Sequence, residues 1–253
     1  MAKSERPDGA VHTAQTWLVR PIAGVCDTAS VSEPLNDSPA VHWPLFGLRL
    51  RCDDVLLRPV RERDLRRLAA LQPPDYEHDP SAEVFPGESL AEHRRRLVYQ
   101  GYWRSLGTWS PSSWCLDFAV EHEGALVGVQ SLEADDFLDL RTVDSGSWLV
   151  DSARGRGIGI AMRTAVLALA FDHLGALAAV TSARTENAAS LGVSRHVGYR
   201  DNGVSLNRSG RGSVELAHMR LTAEEWRASG TGSRVTVSGL DSCLPWFGVS
   251  FQA

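Results

Sequence analysis

The chain of 253 residues contains one lysine, Lys3, and draws the rest of its 26 basic side chains from arginine. That scarcity argues against a lysine nucleophile or Schiff base. It also excludes the nucleotide-hydrolase phosphate loop, GxxxxGK followed by Ser or Thr, in its usual form. The four cysteines, Cys26, Cys52, Cys115 and Cys243, stand far apart without a CxxC pair. Neither a disulfide framework nor a zinc site is indicated, so reduced thiols and no metal are expected. No apolar run approaches membrane-spanning length, and the N-terminus MAKSERPDGAVHTAQTW lacks the apolar core of a signal peptide. Net charge is -5 and the short run Arg94 to Arg96 reads as the solvated face of a helix. Neither nucleic acid nor membrane is therefore an expected partner, and a cytoplasmic location is the expectation.

What is present centres on Ser147 to Phe171, SWLVDSARGRGIGIAMRTAVLALAF. The apolar segment Trp148 to Val150 runs into three alternate glycines, Gly155, Gly157 and Gly159, and then into a helical pattern free of proline. Strand, loop and helix follow in that order. Glycines let backbone N–H groups turn toward one point, and a helix start adds unpaired donors and partial positive charge. A phosphate or pyrophosphate would sit there readily. The dinucleotide fingerprint GxGxxG is not met: its last position falls on Ile160 counted from Gly155 and on Met162 counted from Gly157. A plain tight turn before a helix is the alternative.

Around this stretch the pattern is mixed. Residues 1 to 40, with Pro7, Pro21, Pro34 and Pro39 among small and polar residues, read as a disordered or loosely docked arm. A domain over 41 to 228 and an extension over 229 to 253 with an edge strand near Arg234 to Val237 complete the chain. Within the domain the pattern predicts an opening strand over Leu48 to Val60 and a helix from Arg61 to Leu71. A proline-rich loop follows to residue 87, then a helix from Ser89 to about Arg104 begun by a capping box with Glu92. Trp114 to Glu121 and Ala125 to Leu132 predict a hairpin, Glu133 to Leu140 a loop, and Val143 to Val150 one strand leading straight into the glycines. A long helix over Gly157 to His173, a strand over Ala178 to Ala183 and a short helix over Asn187 to Val197 come next. The hairpin of Tyr199 to Leu206 with Ser213 to Leu221 precedes a last helical turn capped by Thr222 and Glu225. The segments Trp43-Pro44-Leu45-Phe46-Gly47 and Leu244-Pro245-Trp246-Phe247-Gly248 echo one another. Coincidence is one reading; packing of the two ends together, or against another subunit in a homo-oligomer, is the other.

Arg154-Gly155-Arg156-Gly157-Ile158-Gly159 matches R/Q-x-x-G-x-G/A and resembles the loop of the GCN5-related N-acyltransferases, the GNAT superfamily. Asn187-Ala188-Ala189-Ser190, with Gly198-Tyr199 behind it, resembles that family's second signature. The resemblance covers roughly residues 42 to 225. Gly146-Ser147-Trp148-Leu149 before the loop is similar to the ribosomal-protein alanine acetyltransferase-like branch, and other segments resemble members that use succinyl-CoA. The implied fold is α+β: a mixed, mostly antiparallel sheet splayed between its fourth and fifth strands and flanked by helices.

The resemblance implies transfer of an acetyl or succinyl group from acetyl-CoA or succinyl-CoA to a primary amine by direct attack in a ternary complex. The acceptor would be a small-molecule or a protein amine. The pyrophosphate would meet the amides of residues 154 to 159, with Arg154 and Arg156 adding charge. The pantetheine arm would lie along the splayed strand beside Asn187, and the thioester carbonyl would be polarised by a backbone N–H near Leu149 or Val150. Ser190 stands at the position proposed to protonate the leaving sulfur. Ser194 falls where many members carry a catalytic tyrosine. Asp144 matches an acidic position suited to a base, with Glu133, Asp135 and Asp136 nearby. The competing interpretation is a sensor that binds acyl-CoA without turnover. A succinyl donor would further require an arginine, or a group of N–H and hydroxyl donors, facing the acyl pocket.

Overall fold

Residues 39–76, 78, 82–209 and 212–249 are described by a computed structural model, so most of the arm expected at the N-terminus lies outside the described residues. The elements in chain order are α1 (Pro39–His42), β1 (Arg49–Cys52), β2 (Val55–Pro59), α2 (Glu62–Leu71), α3 (Leu90–Gly107), β3 (Trp114–His122), β4 (Ala125–Ala134), α4 (Phe137–Leu140), β5 (Thr142–Asp144) and β6 (Ser147–Leu149). Then come α5 (Ile158–Ala168), β7 (Ala178–Arg184), α6 (Ala188–His196), β8 (Arg200–Ser209), β9 (Gly212–Thr222), α7 (Ala223–Ser229) and β10 (Val235–Ser238).

Local chemistry explains the boundaries. Glu123 and Gly124 have φ of 51° and 75°, the two positive values that a tight β3–β4 hairpin turn requires. Ser89 caps α3 by accepting from the Glu92 amide while the Glu92 carboxylate accepts from the Ser89 amide. Thr222 and Glu225 repeat that reciprocal cap on α7.

The strands form one sheet in the order β10-β1-β2-β3-β4-β5-β7-β9-β8, with β6 also paired to β4. Every pairing is antiparallel except β5 with β7. This is the mixed, mostly antiparallel sheet of an α+β fold. Alternation sorts side chains between its faces. Leu116, Phe118 and Val120 of β3 join the larger core with α5, while Ala119 joins Val60, Leu65, Leu68 and Tyr102 under α2 and α3. All of α5 except Gly159 and Ile160 is buried, and each of its fully buried large aliphatic side chains contributes about 1.5–3 kcal/mol.

The structure corrects several expected boundaries. The strand predicted over Val143 to Val150 is two strands. Its first part pairs with β7 through Thr142, Val143 and Asp144, after which the Thr181 hydroxyl donates to the Ser145 carbonyl at 3.1 Å. The chain then stays with β4 alone. A 3-10 turn over Asp151–Ala153 separates the strand from the glycines, so the lead-in is not straight. The loop expected over Glu133 to Leu140 contains the end of β4 and all of α4. The helix expected to reach His173 ends as α-helix at Ala168 and continues as a π-turn, Leu169–His173, closed by the Leu174 amide on the Leu169 carbonyl. Trp226 fixes that turn: its Nε1 donates to Asp172 at 2.8 Å and its ring stacks on Phe171.

The two echoing segments meet. The rings of Trp43 and Trp246 pack edge-on with centroids 4.7 Å apart, and Trp109 Nε1 donates to the Trp246 carbonyl at 3.0 Å. β10 pairs with β1 from Arg49–Ser238 to Cys52–Val235 and forms one edge of the sheet.

Candidate active site

The parting of β6 from β7 creates the site. Beyond Asp144 and Val180 no ladder joins the two strands: β6 hydrogen-bonds to β4, and β7 to β9. The Val150 amide donates to the Val127 carbonyl at 2.9 Å, and the Ser131 amide donates to the Gly146 carbonyl at 2.7 Å. In an antiparallel ladder successive residues turn their N–H groups to opposite sides. The amides of Ser147 and Leu149 therefore face away from β4 and into the gap. Of the two amides expected to polarise a carbonyl, that of Val150 is engaged within the sheet and that of Leu149 faces the opening. Gly128 permits this packing, because a Cβ there would collide with the Trp148 carbonyl.

At the end of the gap stands the glycine loop. Gly155 and Gly157 have φ of 70° and 82°, values that L side chains rarely adopt. Gly159 serves packing instead: a Cβ there would lie 3.3 Å from Val193, where α6 crosses α5. The amides of Arg156, Gly157, Ile158 and Gly159 have no hydrogen-bond acceptor among the described residues. Together with the start of α5 they offer a concave set of donors for an anion.

The two loop arginines differ. Arg154 donates to both oxygens of Asp75 at 2.9 and 3.0 Å, lies 3.2 Å from Asp151, and donates Nε to the Leu149 carbonyl at 3.2 Å. Arg156 is half exposed, with Glu123 at 3.7 Å as its counter-charge. It borders a hollow of about 290 Å³ shared with Asp53, Asp54, His196 and Arg234.

The second signature lies across the gap. Asn187 Oδ1 accepts from the Ser190 amide at 3.0 Å and thereby caps α6. The Ser190 hydroxyl has no hydrogen-bond partner among the described residues. Ser194 is 1% exposed, and its hydroxyl donates to the Ser190 carbonyl at 3.1 Å, a helical back-bond. Of the two serines, only Ser190 presents an uncommitted hydroxyl.

Asp144 lies on β5 beside the apex of the gap, half-buried, with Oδ1 accepting from the Ser145 amide at 2.5 Å. Burial pushes its carboxyl up, partly offset by that amide and by the charge of Arg163, which is 3% exposed on α5. Glu133, opposite Asp144 in the ladder, is also pushed up by desolvation and by the Asp144 charge. Asp135 and Asp136 are exposed. Asp135 Oδ1 accepts from the Ser113 hydroxyl at 3.3 Å.

Under α2 and α3, against the β6 end of the gap, lies a cavity of about 150 Å³. Leu65, Leu68, Leu97, Tyr102 and Trp148 form apolar walls, and Tyr76, His78, Asp117, Ser131 and Ser147 supply polar atoms. Tyr76 belongs to the proline-rich loop of residues 72 to 87, which the family resemblance implies helps form the acceptor pocket, whereas Asp75, Asp117 and Ser131 were not singled out from the sequence. The trace of Asp117 was legible: it is the one acid inside the otherwise apolar β-run WCLDFAV. Among the described residues no group of side chains is suited to hold a metal ion, and no helix is long and apolar enough to cross a membrane.

Comparison with known proteins agrees with this architecture. RimJ from Mycobacterium smegmatis, solved in complex with CoA-disulfide, superposes with a TM-score of 0.56 at 22% identity, over 74% of this chain and 97% of that one. A chimera of the spermidine N-acetyltransferase SpeG from Vibrio cholerae gives 0.53 at 16% identity, over 69% and 99%. RimL, a ribosomal alpha-N-protein acetyltransferase solved with coenzyme A, gives 0.52 at 18%, over 67% and 94%. At these identities the likeness is one of fold. The family model of the acetyltransferase (GNAT) domain matches residues 54–200, more than half of the chain, and with the glycine loop and splayed strands inside that span the chain belongs to the GNAT acetyltransferase family.

Proposed function

We propose that the protein is an acyl-CoA-dependent N-acyltransferase that moves an acetyl group to a primary amine by direct attack in a ternary complex. The observation that carries this reading is the continuity of one track: the Leu149 amide facing the gap, the gap itself, and the unpaired amides of Arg156 to Gly159 at its end. Pantetheine enters the gap as an added strand, its thioester carbonyl accepts from Leu149 N–H, and the pyrophosphate takes the loop amides. Arg156 supplies the less tightly held positive charge, since Glu123 lies 3.7 Å from it whereas Arg154 is held by Asp75 at 2.9 and 3.0 Å. Asn187 lies beside the pantetheine arm and caps α6.

The amine must lose a proton and the thiolate must gain one. Asp144, a carboxyl raised by burial, suits the first task through water, and the free hydroxyl of Ser190 suits the second. Ser194 is committed to its helix and serves structure. An acetyl donor fits better than a succinyl one. No arginine lines the described part of the cavity beside β6 to meet a distal carboxylate.

Thiol release from acetyl-CoA and succinyl-CoA over a panel of amines tests the proposal, with Ser190→Ala and Asp144→Ala variants alongside and CoA binding measured by calorimetry. Acetyl transfer lowered in both variants is the expected result. Failure to bind CoA would overturn it. Tight CoA binding without release for any amine would identify an acyl-CoA sensor, and equal acetyl and succinyl rates would remove the donor preference.

A further inference from the structure

This arginine-rich chain pairs its partly buried carboxylates. Asp64 and Glu121 meet Arg58, and Glu88 meets Arg96. Two exceptions are Asp144 and Asp117: Asp144 still feels the charge of Arg163, whereas Asp117 has no cation acting on it among the described residues. Asp117 is half-buried on β3, it is the one charged residue among the described residues lining the cavity beside β6, and its hydrogen-bond partner is the neutral hydroxyl of Ser131. Among the described residues, the other titratable groups around it supply no positive charge. His78 is held toward the neutral form by burial and is hydrogen-bonded to Gln72; Tyr76, Cys115 and Glu133 can only be neutral or negative. Burial pushes the Asp117 carboxyl up as well. A carboxylate withdrawn from water without a counter-charge is costly, and a cationic ligand removes that cost.

The register sets how far that cation lies from the chemistry. Asp117 stands opposite Ser131, whose amide donates to Gly146, so these three residues form one row across β3, β4 and the start of β6. Leu149 lies two strand spacings across and three residues along, about 14 Å from Asp117 between Cα atoms. A nitrogen attacking a thioester held at Leu149 cannot also rest on Asp117. The rings of Tyr76, Tyr102 and Trp148 and the aliphatic walls between the two points suit a methylene chain and a cation beyond it.

We propose that Asp117 is a specificity-determining residue that anchors a second, distal ammonium of the acceptor, and that the acceptors are extended aliphatic diamines. The inference rests on the acyl-transfer reading above and names the substrate class of that site. It predicts discrimination between a diamine and the alkylamine of equal length, with the preferred diamine spanning roughly 10 Å once the reach of the aspartate is subtracted from the Cα spacing.

The test uses the full chain with acetyl-CoA and two homologous series, straight diaminoalkanes and n-alkylamines. It reads thiol release and, by calorimetry, amine binding to the CoA-loaded protein. Expected is a diamine preference of at least ~10-fold in kcat/KM, residing in KM and peaking at one chain length, that falls toward unity in Asp117→Asn. Equal handling of the two series at every length overturns the inference and leaves acyl transfer intact, as does a preference that persists in Asp117→Asn. The length series on the unaltered protein decides independently of whether the variant folds. If CoA binds but nothing is acylated, diamine binding no tighter than alkylamine binding overturns the inference; if CoA itself does not bind, the functional proposal has failed first.

Discussion

Arg154 and Asp75, 79 positions apart, form a bidentate pair in which Nη1 and Nη2 donate to the two carboxylate oxygens at 2.9 and 3.0 Å. The pair fastens the turn after α2, which carries Gln72 and Tyr76 of the cavity, to the loop before α5. Arg154, expected to add charge for a pyrophosphate, is thus engaged by a carboxylate from the turn after α2. The hydrogen bond from Arg154 also holds the Asp75 carboxyl below its usual range.

Release of this fastening is expected to act on the acceptor. Asp75→Asn should raise the acceptor KM by ~3-fold or more while changing the Kd of CoA by less than ~2-fold. Its effect on stability should stay under ~1 kcal/mol, since both partners are more than a third exposed. Steady-state kinetics with calorimetry checks this; an unchanged KM would show that the turn is held by its other contacts.

Gly157 precedes α5 at φ 82°, and alanine there is strained by roughly 1–2 kcal/mol. Gly157→Ala should therefore weaken CoA binding by ~10-fold or more through redirected amides, with a folded far-UV spectrum. Retained affinity in a folded variant would place the anion elsewhere.

The two serines of α6 should separate. Ser190→Ala is expected to lower kcat by ~10-fold or more, whereas Ser194→Ala, which removes a back-bonded hydroxyl, should change kcat by less than ~2-fold. Equal losses in both would assign the effect to the helix instead of to one hydroxyl.

The carboxylates give two pH signatures. If Asp144 accepts the proton, kcat/KM falls on the acid side around a midpoint above the ordinary aspartate value of about 3.9, because burial raises its carboxyl. Asp144→Asn should abolish that limb. Asp117 acts on stability. Its folded-state pKa is raised above the unfolded one, so its favourable contribution is present below the unfolded pKa and lost as pH rises through the folded pKa. Asp117→Asn should therefore raise Tm at neutral pH by ~2 °C, a gain that vanishes toward acid pH and is read by calorimetry across pH.

The C-terminal segment should be integral to the fold. Trp246 touches Trp43 and accepts from Trp109 through its carbonyl, and Phe247 packs on Trp114. Trp246→Ala should cost about 2–3 kcal/mol, visible in denaturant midpoints. An unchanged midpoint would make the aromatic contact incidental.

Element types and order were legible because their signals are local. The caps at Ser89 and Thr222, the Glu123-Gly124 turn and the alternation of β3 each act within a few residues. Position 157 likewise demanded a residue tolerant of positive φ before any tertiary contact was known. The break at Ser145 was not legible, since it depends on Thr181 reaching across from β7.

The glycine loop, the apolar helix behind it and the second signature at Asn187 and Ser190 are properties of the sequence by itself, because backbone conformation and periodicity are written in neighbouring residues. Tertiary structure alone decided that Arg154 faces Asp75, that Val150 is engaged while Leu149 is open, and that Asp117 lies in a cavity without a counter-charge among the described residues. Each of those depends on strand register or on groups brought together from distant positions, and no local pattern encodes which partner a charge or an amide will meet.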